Sequence, residues 1–366
     1  MIKVKKIFSN SISFVFTVLF GIFLVLHPRE SINGVTSGIK MCLNTLVPAL
    51  FPFIFFSCLM VNSGIFQILG KLLSPVSKFL FFLPPSSSSV ILLSMIGGFP
   101  VGARGIKDLF ERNEINSEQA ERMLLFCVNA GPAFILGVIG NSLIKNLKIA
   151  SIILVSQILS SVIIASILGI LAKVKIGKIY SSNNEVQKEK FTESIIKSCE
   201  SSSISIIQMC TLVIIFNIFS IFLDNLQIIS YCSRVLPYLK FPGEISDCFP
   251  QIIMEVTKSC EMISSYGVFP SLLSFATSWG GLCVHFQVFS IMKNLKINYL
   301  KFFAFRFFNA CLSSFLTFIL IKIQNMSFSF RKIEVPQTST HVFGSVALII
   351  CCLIFLLDLK LKKKFN

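Results

Sequence analysis

Ser86-Ser87-Ser88-Ser89, an apolar run from Val90 to Ile96, Gly97-Gly98-Phe99-Pro100, a charged connector, and an apolar run from Met123 to Gly140 cut by Asn129-Ala130-Gly131-Pro132: the reading of this stretch decides the fold. The serines supply N-cap hydroxyls, and Gly-Gly-Phe-Pro ends any helix after about 20 Å, short of a ~30 Å hydrocarbon core. The second run is long enough to cross but is interrupted at its middle. Broken backbone at membrane depth is tolerated only where protein buries it or where it lines a wet cavity. Two interrupted segments in succession therefore point to a binding site of the transporter kind.

The rest of the chain supports a membrane setting. Of its 366 residues, 54% are hydrophobic, mean hydropathy is +0.80, and apolar runs recur from end to end. This describes an all-α polytopic membrane protein with no sizeable soluble domain. The net charge of +16 is not a nucleic-acid signature, because the basic residues gather at the ends of apolar runs as the positive-inside rule expects. The 12 cysteines lack CxxC or Cys/His ligand spacing, so they read as small core fillers with no metal and no cofactor. Residues 7–26, led by Lys3, Lys5 and Lys6, resemble a signal sequence without a small-residue cleavage site before His27-Pro28-Arg29, and read as a retained first helix.

Full spans are expected at 8–26, 46–61, 123–140, 149–172, 206–223, 268–292, 302–323 and 342–359, about eight in all, with two re-entrant half-helices at 86–96 and 249–264. Lysines at both termini, Lys360 and Lys362 to Lys364 at the second, place both ends in the cytoplasm. The elements recur in order: a lead-in to a span (Ile39-Lys40-Met41-Cys42, echoed by Ile196-Lys197-Ser198-Cys199), an amphipathic stretch, a half-span, a broken span and an unbroken one. An odd number of crossings separates the copies, so the arrangement reads as an inverted-topology repeat. The expected organisation is an N-terminal helix (1–34), repeat 1 (35–172), a cytoplasmic linker (173–194), repeat 2 (195–323), and a loop with a C-terminal helix and basic tail (324–366).

Candidate binding residues cluster at the breaks. Asn129, Gly131 and Pro132 in the first copy, and Trp279, Gly280 and Gly281 in the second, leave backbone groups free to meet a ligand. Asn129 supplies an acceptor and two donors. Glu255 and Lys258 lie in a half-span, where charge is costly unless paired or wet; three apart on a helix, they also suit a mutual pair. His285 and Gln287 follow the second break, where a lone histidine reads as a core residue or as a relay. Arg104 suits either capture of an anion or a positive-inside anchor. The acidic residues between 108 and 121 alternate with bases, as in a solvated connector. No HExxH, GxSxG or P-loop is present, and Ser278 and His285 are two turns apart, so no enzyme is expected.

Gly97-Gly98-Phe99-Pro100-Val101-Gly102-Ala103, Glu118-Gln119-Ala120-Glu121-Arg122 and Phe126 to Phe134 resemble the nucleoside recognition (Gate) domain of the YlbJ-type sporulation integral membrane proteins. Glu255-Val256-Thr257 and Gly280 to Val288 resemble its second copy. Phe99 and Gly131 stand where tyrosine and serine are expected. The resemblance implies an inverted-repeat protein related to concentrative nucleoside transporters, in the mother-cell-derived membrane around the forespore, moving dipicolinate. It adds Gly98, Pro100 and Thr257 to the expected substrate contacts. The implied partners are the lipid bilayer and a small-molecule anion substrate. A homo-oligomer is compatible with this type, but no sequence feature decides it. A nucleoside-type solute and a non-transporting scaffold of the spore envelope are the alternatives.

Overall fold

The structure, a computed structural model, describes residues 2–175, 191–235, 243–293, 295 and 297–324. The expected span at 342–359, most of the linker and the loop with Arg331 and Lys332 lie outside the described residues. Every regular element among the described residues is helical. Among the described residues, five helices are long and apolar enough to cross a membrane: Pro28–Asn62, Leu147–Ala172, Phe191–Asn225, Pro270–Ile291 and Tyr299–Ile323.

After α1 (Ile2–Leu26), the chain enters α2 (Pro28–Asn62), a single run of 35 residues. It contains a π-helical turn at Cys42–Leu46, just ahead of Pro48, whose ring and missing N–H cannot be fitted into a regular ladder. α9 (Phe191–Asn225) is also 35 residues long. At ~1.5 Å per residue each is about 52 Å in length. Their ends are offset by one constant number of residues. So are the left-handed residues that follow them, Gly64 (φ 73) and Gln227 (φ 57), and the first residues of the next helices, α3 (Ile65–Phe79) and α10 (Ile228–Val235). The echo at 39–42 and 196–199 does not fall on that offset; four-residue echoes arise readily in an apolar chain, and this one does not mark equivalent positions.

α2 and α9 lie antiparallel. A Cβ on Gly34 would stand 3.0 Å from Ile221, and one on Gly38 2.9 Å from Ile214. Further along, Cys42 Sγ donates to the Cys210 carbonyl at 3.7 Å, and Asn62 Nδ2 donates to Ser198 Oγ at 2.9 Å. The glycines bring the backbones close, and small polar contacts close the far end. The expected spans at 46–61 and 206–223 are too short because their lead-ins, rich in serine, lysine and asparagine, look like loop. In the fold these residues continue the helix, with Ser31, Gly34 and Gly38 buried in one and Ser194, Ser198 and Ser202 in the other.

The half-spans are also different from expectation. α4 (Ser87–Gly97) and α5 (Phe99–Glu111) form a helical hairpin: a Cβ on Gly102 would lie 2.9 Å from Ser94, and one on Gly105 2.9 Å from Val90. The connector read as solvated is therefore a packed return arm, with Ala103, Ile106 and Leu109 buried. Its charges keep off that buried face: Lys107 and Glu111 pair at 3.7 Å on the outside, and Arg104 turns to α9. In the second copy α11 (Gly243–Met254) and α12 (Val256–Tyr266) make the matching hairpin, tied near its base by Tyr266 Oη donating to Asp247 Oδ2 at 3.3 Å. Ile252 to Lys258 reads as one helix because a lone glutamate does not break periodicity; in the fold Glu255 turns to cap the second arm.

Each hairpin precedes a broken helix and an unbroken one. In the first copy these are α6 (Ser117–Leu124), non-helical backbone up to Pro132, the π-helical α7 (Ala133–Leu143), and α8 (Leu147–Lys175). In the second they are α13 (Pro270–Trp279), a bend at Gly280, α14 (Gly281–Ile291), and α15 (Tyr299–Ile323). α8 and α15 pack together through Ser160 Oγ and Asn309 Oδ1 at 2.5 Å.

Candidate functional site

The two hairpin tips and the two helix breaks meet at one place. Gly98 at the first tip (φ 84, ψ −176) lies in a region open essentially only to glycine. A Cβ on Gly131 would stand 3.0 Å from Gly98 N and 3.0 Å from the Ile96 carbonyl, so the tip and the break of the first copy touch backbone to backbone. In the second copy Gly281 (φ 73) plays the part of Gly131: its Cβ would stand 2.9 Å from the Met254 carbonyl and 3.0 Å from Glu255 N. A cross-copy contact joins the pairs, because a Cβ on Gly280 would meet the Phe99 ring at 3.3 Å.

A cavity of about 50 Å³ lies between these elements. It is walled by both tips, the first break through Gly131, the start of α14 through Cys283 and Val284, α2 through Leu46, Leu50 and Phe53, and α9 through Met209 and Val213. A water needs roughly 10–15 Å³, so the space holds a few waters or part of a small ligand. Most of the wall is apolar; Glu255, Thr257 and Gln287 are its polar side chains. The first turns of four helices line it: α5 at Phe99, α7 at Ala133, α12 at Val256 and α14 at Cys283. Each N-terminus carries about half a positive charge and unpaired N–H groups.

Only one of the four is capped by a side chain. Glu255, in extended conformation, accepts from Thr257 N at 3.0 Å and Lys258 N at 2.7 Å. Its carboxylate therefore meets the Lys258 backbone, which replaces the side-chain pairing suggested by the three-residue spacing. The N-termini of α5, α7 and α14 have no side-chain cap.

Of the residues expected at the site, Gly98, Pro100, Gly131, Glu255, Thr257 and Gln287 line the cavity. Pro132, Gly280 and Gly281 form the bends that aim α7 and α14 at it. Asn129 does not reach it: Nδ2 donates to the Phe126 carbonyl at 2.8 Å, and Oδ1 accepts from Ser161 at 2.9 Å. The amide serves the break itself, supplying a partner to a carbonyl freed by lost helix. Arg104 donates to the Ser201 carbonyl at 3.1 Å and to Gln208 Oε1 at 3.3 Å, binding its hairpin arm to α9. Trp279 and His285 pack on each other with ring centroids 4.5 Å apart, against Phe303. His285 is fully buried, away from the cavity wall.

The structure adds two polar residues that were not singled out. Gln157 on α8 donates to the Ala130 carbonyl at 2.9 Å. Arg306 on α15 is fully buried and donates to the Val128 and Ser278 carbonyls. An arginine within the apolar run 302–323 was a legible signal, since intramembrane charge marks a functional position by default.

The chain is similar to the sporulation integral membrane protein YlbJ of Bacillus subtilis (strain 168), with 22% identity over 326 residues, covering 82% of this chain and 79% of the relative. That similarity supports a YlbJ-type family. Together with the long apolar helices it supports a sporulation integral membrane protein. No family model and no solved structure matches the chain.

Proposed function

We propose that the chain is a membrane carrier, not an enzyme, and that it moves a small aromatic anion of the dipicolinate class across the mother-cell-derived membrane around the forespore. The observation that carries this reading is the convergence of four helix N-termini on one cavity, three of them without a side-chain cap. Three ends at about +0.5 charge each outweigh the single carboxylate of Glu255. Phe53, Phe99 and Phe134 offer ring faces on the wall against which a flat solute can stack. Two inverted copies whose hairpins enter from opposite faces are the arrangement that alternating access uses.

Glu255 favours a second reading. With Thr257 and Gln287 it presents acceptors, which suit a neutral solute rich in donors, such as a nucleoside. Proteoliposomes holding the purified full chain separate the two when uptake of labelled dipicolinate is compared with that of labelled uridine. For the anion reading, Glu255→Gln removes the like charge that helps the solute leave. Binding of dipicolinate then tightens while its uptake falls, and the variant still reaches the membrane. Uptake of uridine alone would transfer the site to the second reading, and uptake of neither solute would favour a scaffold of the spore envelope.

A further inference from the structure

Arg306 binds the two copies at their weakest points. Val128 is the last residue before Asn129 in the first break, and Ser278 is the penultimate residue of α13 before the second. The Val128 carbonyl belongs to the unwound backbone between α6 and Pro132, and the Ser278 carbonyl to the last turn of α13, so neither has an intrahelical donor. The guanidinium fork reaches both, one Nη to each. The ion pairs found among the described residues, His27–Glu30, Lys107–Glu111 and Lys301–Glu121, do not include it. A fully buried charge needs compensation, and here the acceptors are backbone carbonyls. Around it stand further donors, Arg306 Nε and Asn309 Nδ2, both buried without a partner.

In carriers with broken helices, unwound carbonyls and half-helix C-terminal ends are where a metal cation binds. We propose that Arg306 is a tethered cation filling, from within the chain, the carbonyl site that Val128 and Ser278 would otherwise offer to a monovalent metal ion. The site is thereby loaded permanently, and the two breaks are held in register without sodium. This goes beyond the carrier reading and is tested on stability alone, so its failure would leave the transport assignment intact.

The test uses the purified full chain in detergent, with thermal unfolding followed in NaCl, KCl and N-methylglucamine chloride at equal ionic strength. The wild-type midpoint is expected to be the same in all three. Arg306→Gln empties the site, so its midpoint falls in N-methylglucamine and recovers in NaCl or KCl. Arg306→Lys restores a charge and is expected to be insensitive to the cation. Sodium-specific stabilisation of the wild type, or an Arg306→Gln midpoint that no metal ion raises, overturns the proposal. If Arg306→Gln gives no folded protein, the yield of Arg306→Lys decides. Recovery by lysine supports the charge, and equal loss shows that only the two-pronged packing matters.

Discussion

The two hairpin tips occupy equivalent places and solve the same problem with different residues. At the first, the tip itself is the glycine: Gly98 takes a conformation closed to other residues, faces Gly131 across the break, and leaves α5 uncapped. At the second, the tip is Glu255 in ordinary extended backbone (φ −151, ψ 128), and it caps α12 with its own carboxylate. The strained glycine has moved across the gap to Gly281. Each junction thus needs one partner without a Cβ, but which partner it is decides the charge presented to the cavity. The first junction offers a bare positive helix end, and the second one already filled by an anion. The two junctions share one arrangement of elements, and the difference at two residues makes the site asymmetric.

The largest test of this comparison is all-or-none. In a cysteine-free background, single cysteines at 107 and 243, near the bases of the two hairpins, should be labelled by an impermeant reagent from opposite sides of the membrane. Labelling from one side would remove the inverted relation between the tips.

Next come the glycines. Gly281→Ala combines positive φ with a Cβ pressed against the Met254 carbonyl and Glu255 N, and should cost about 3 kcal/mol or more, leaving little monodisperse protein on gel filtration. Gly98→Ala meets its neighbour only at 3.4 Å, so strain alone remains, about 1–3 kcal/mol. Equal losses would show that crowding is not what separates the junctions.

The smallest pair sharpens the comparison just before the breaks. Asn129→Leu strands Ser161 and the Phe126 carbonyl and should destabilise by about 1–3 kcal/mol. Ser278 Oγ has no hydrogen-bond partner, so Ser278→Ala should change stability by no more than about 0.5 kcal/mol. Melting curves check both. If Asn129→Leu instead weakened ligand binding with stability unchanged, the amide would face the ligand and not the break.

Much of the site could be read from the chain, and the missing parts have definite causes. Gly-Gly-Phe-Pro and Asn-Ala-Gly-Pro announce themselves because Gly and Pro act locally. That they touch each other is a tertiary fact, carried by Gly98 and Gly131 across more than thirty residues of intervening chain. The return arm of the first hairpin was hidden because Gly102, Ala103 and Gly105 occupy the middle of its buried face, small residues that carry no hydrophobic signal and leave Ile106 and Leu109 standing alone among charges. Asn129 was recognised as a residue of the break, but nothing local tells whether an amide turns toward a ligand or toward a carbonyl one turn back. The long helices were underestimated for a related reason. Buried serines such as Ser194, Ser198 and Ser202 bond to backbone in their own helix or to the neighbouring helix, whereas in a sequence they count as polar.

Arg306 also sets a timetable. The carbonyl of Val128 and the guanidinium that satisfies it are separated by 178 residues, and ribosomes add roughly 5–20 residues per second, so roughly 10–35 s pass between the synthesis of one and the other. During that interval Asn129, Ser161 and Gln157 can already brace the first break, but the Val128 carbonyl lacks its guanidinium partner, and α15 must then bring a charged residue through the insertion machinery to supply it. A ribosome that stalls before α15 leaves a chain already embedded yet recognisably unfinished, a state that membrane proteases can find by its open backbone.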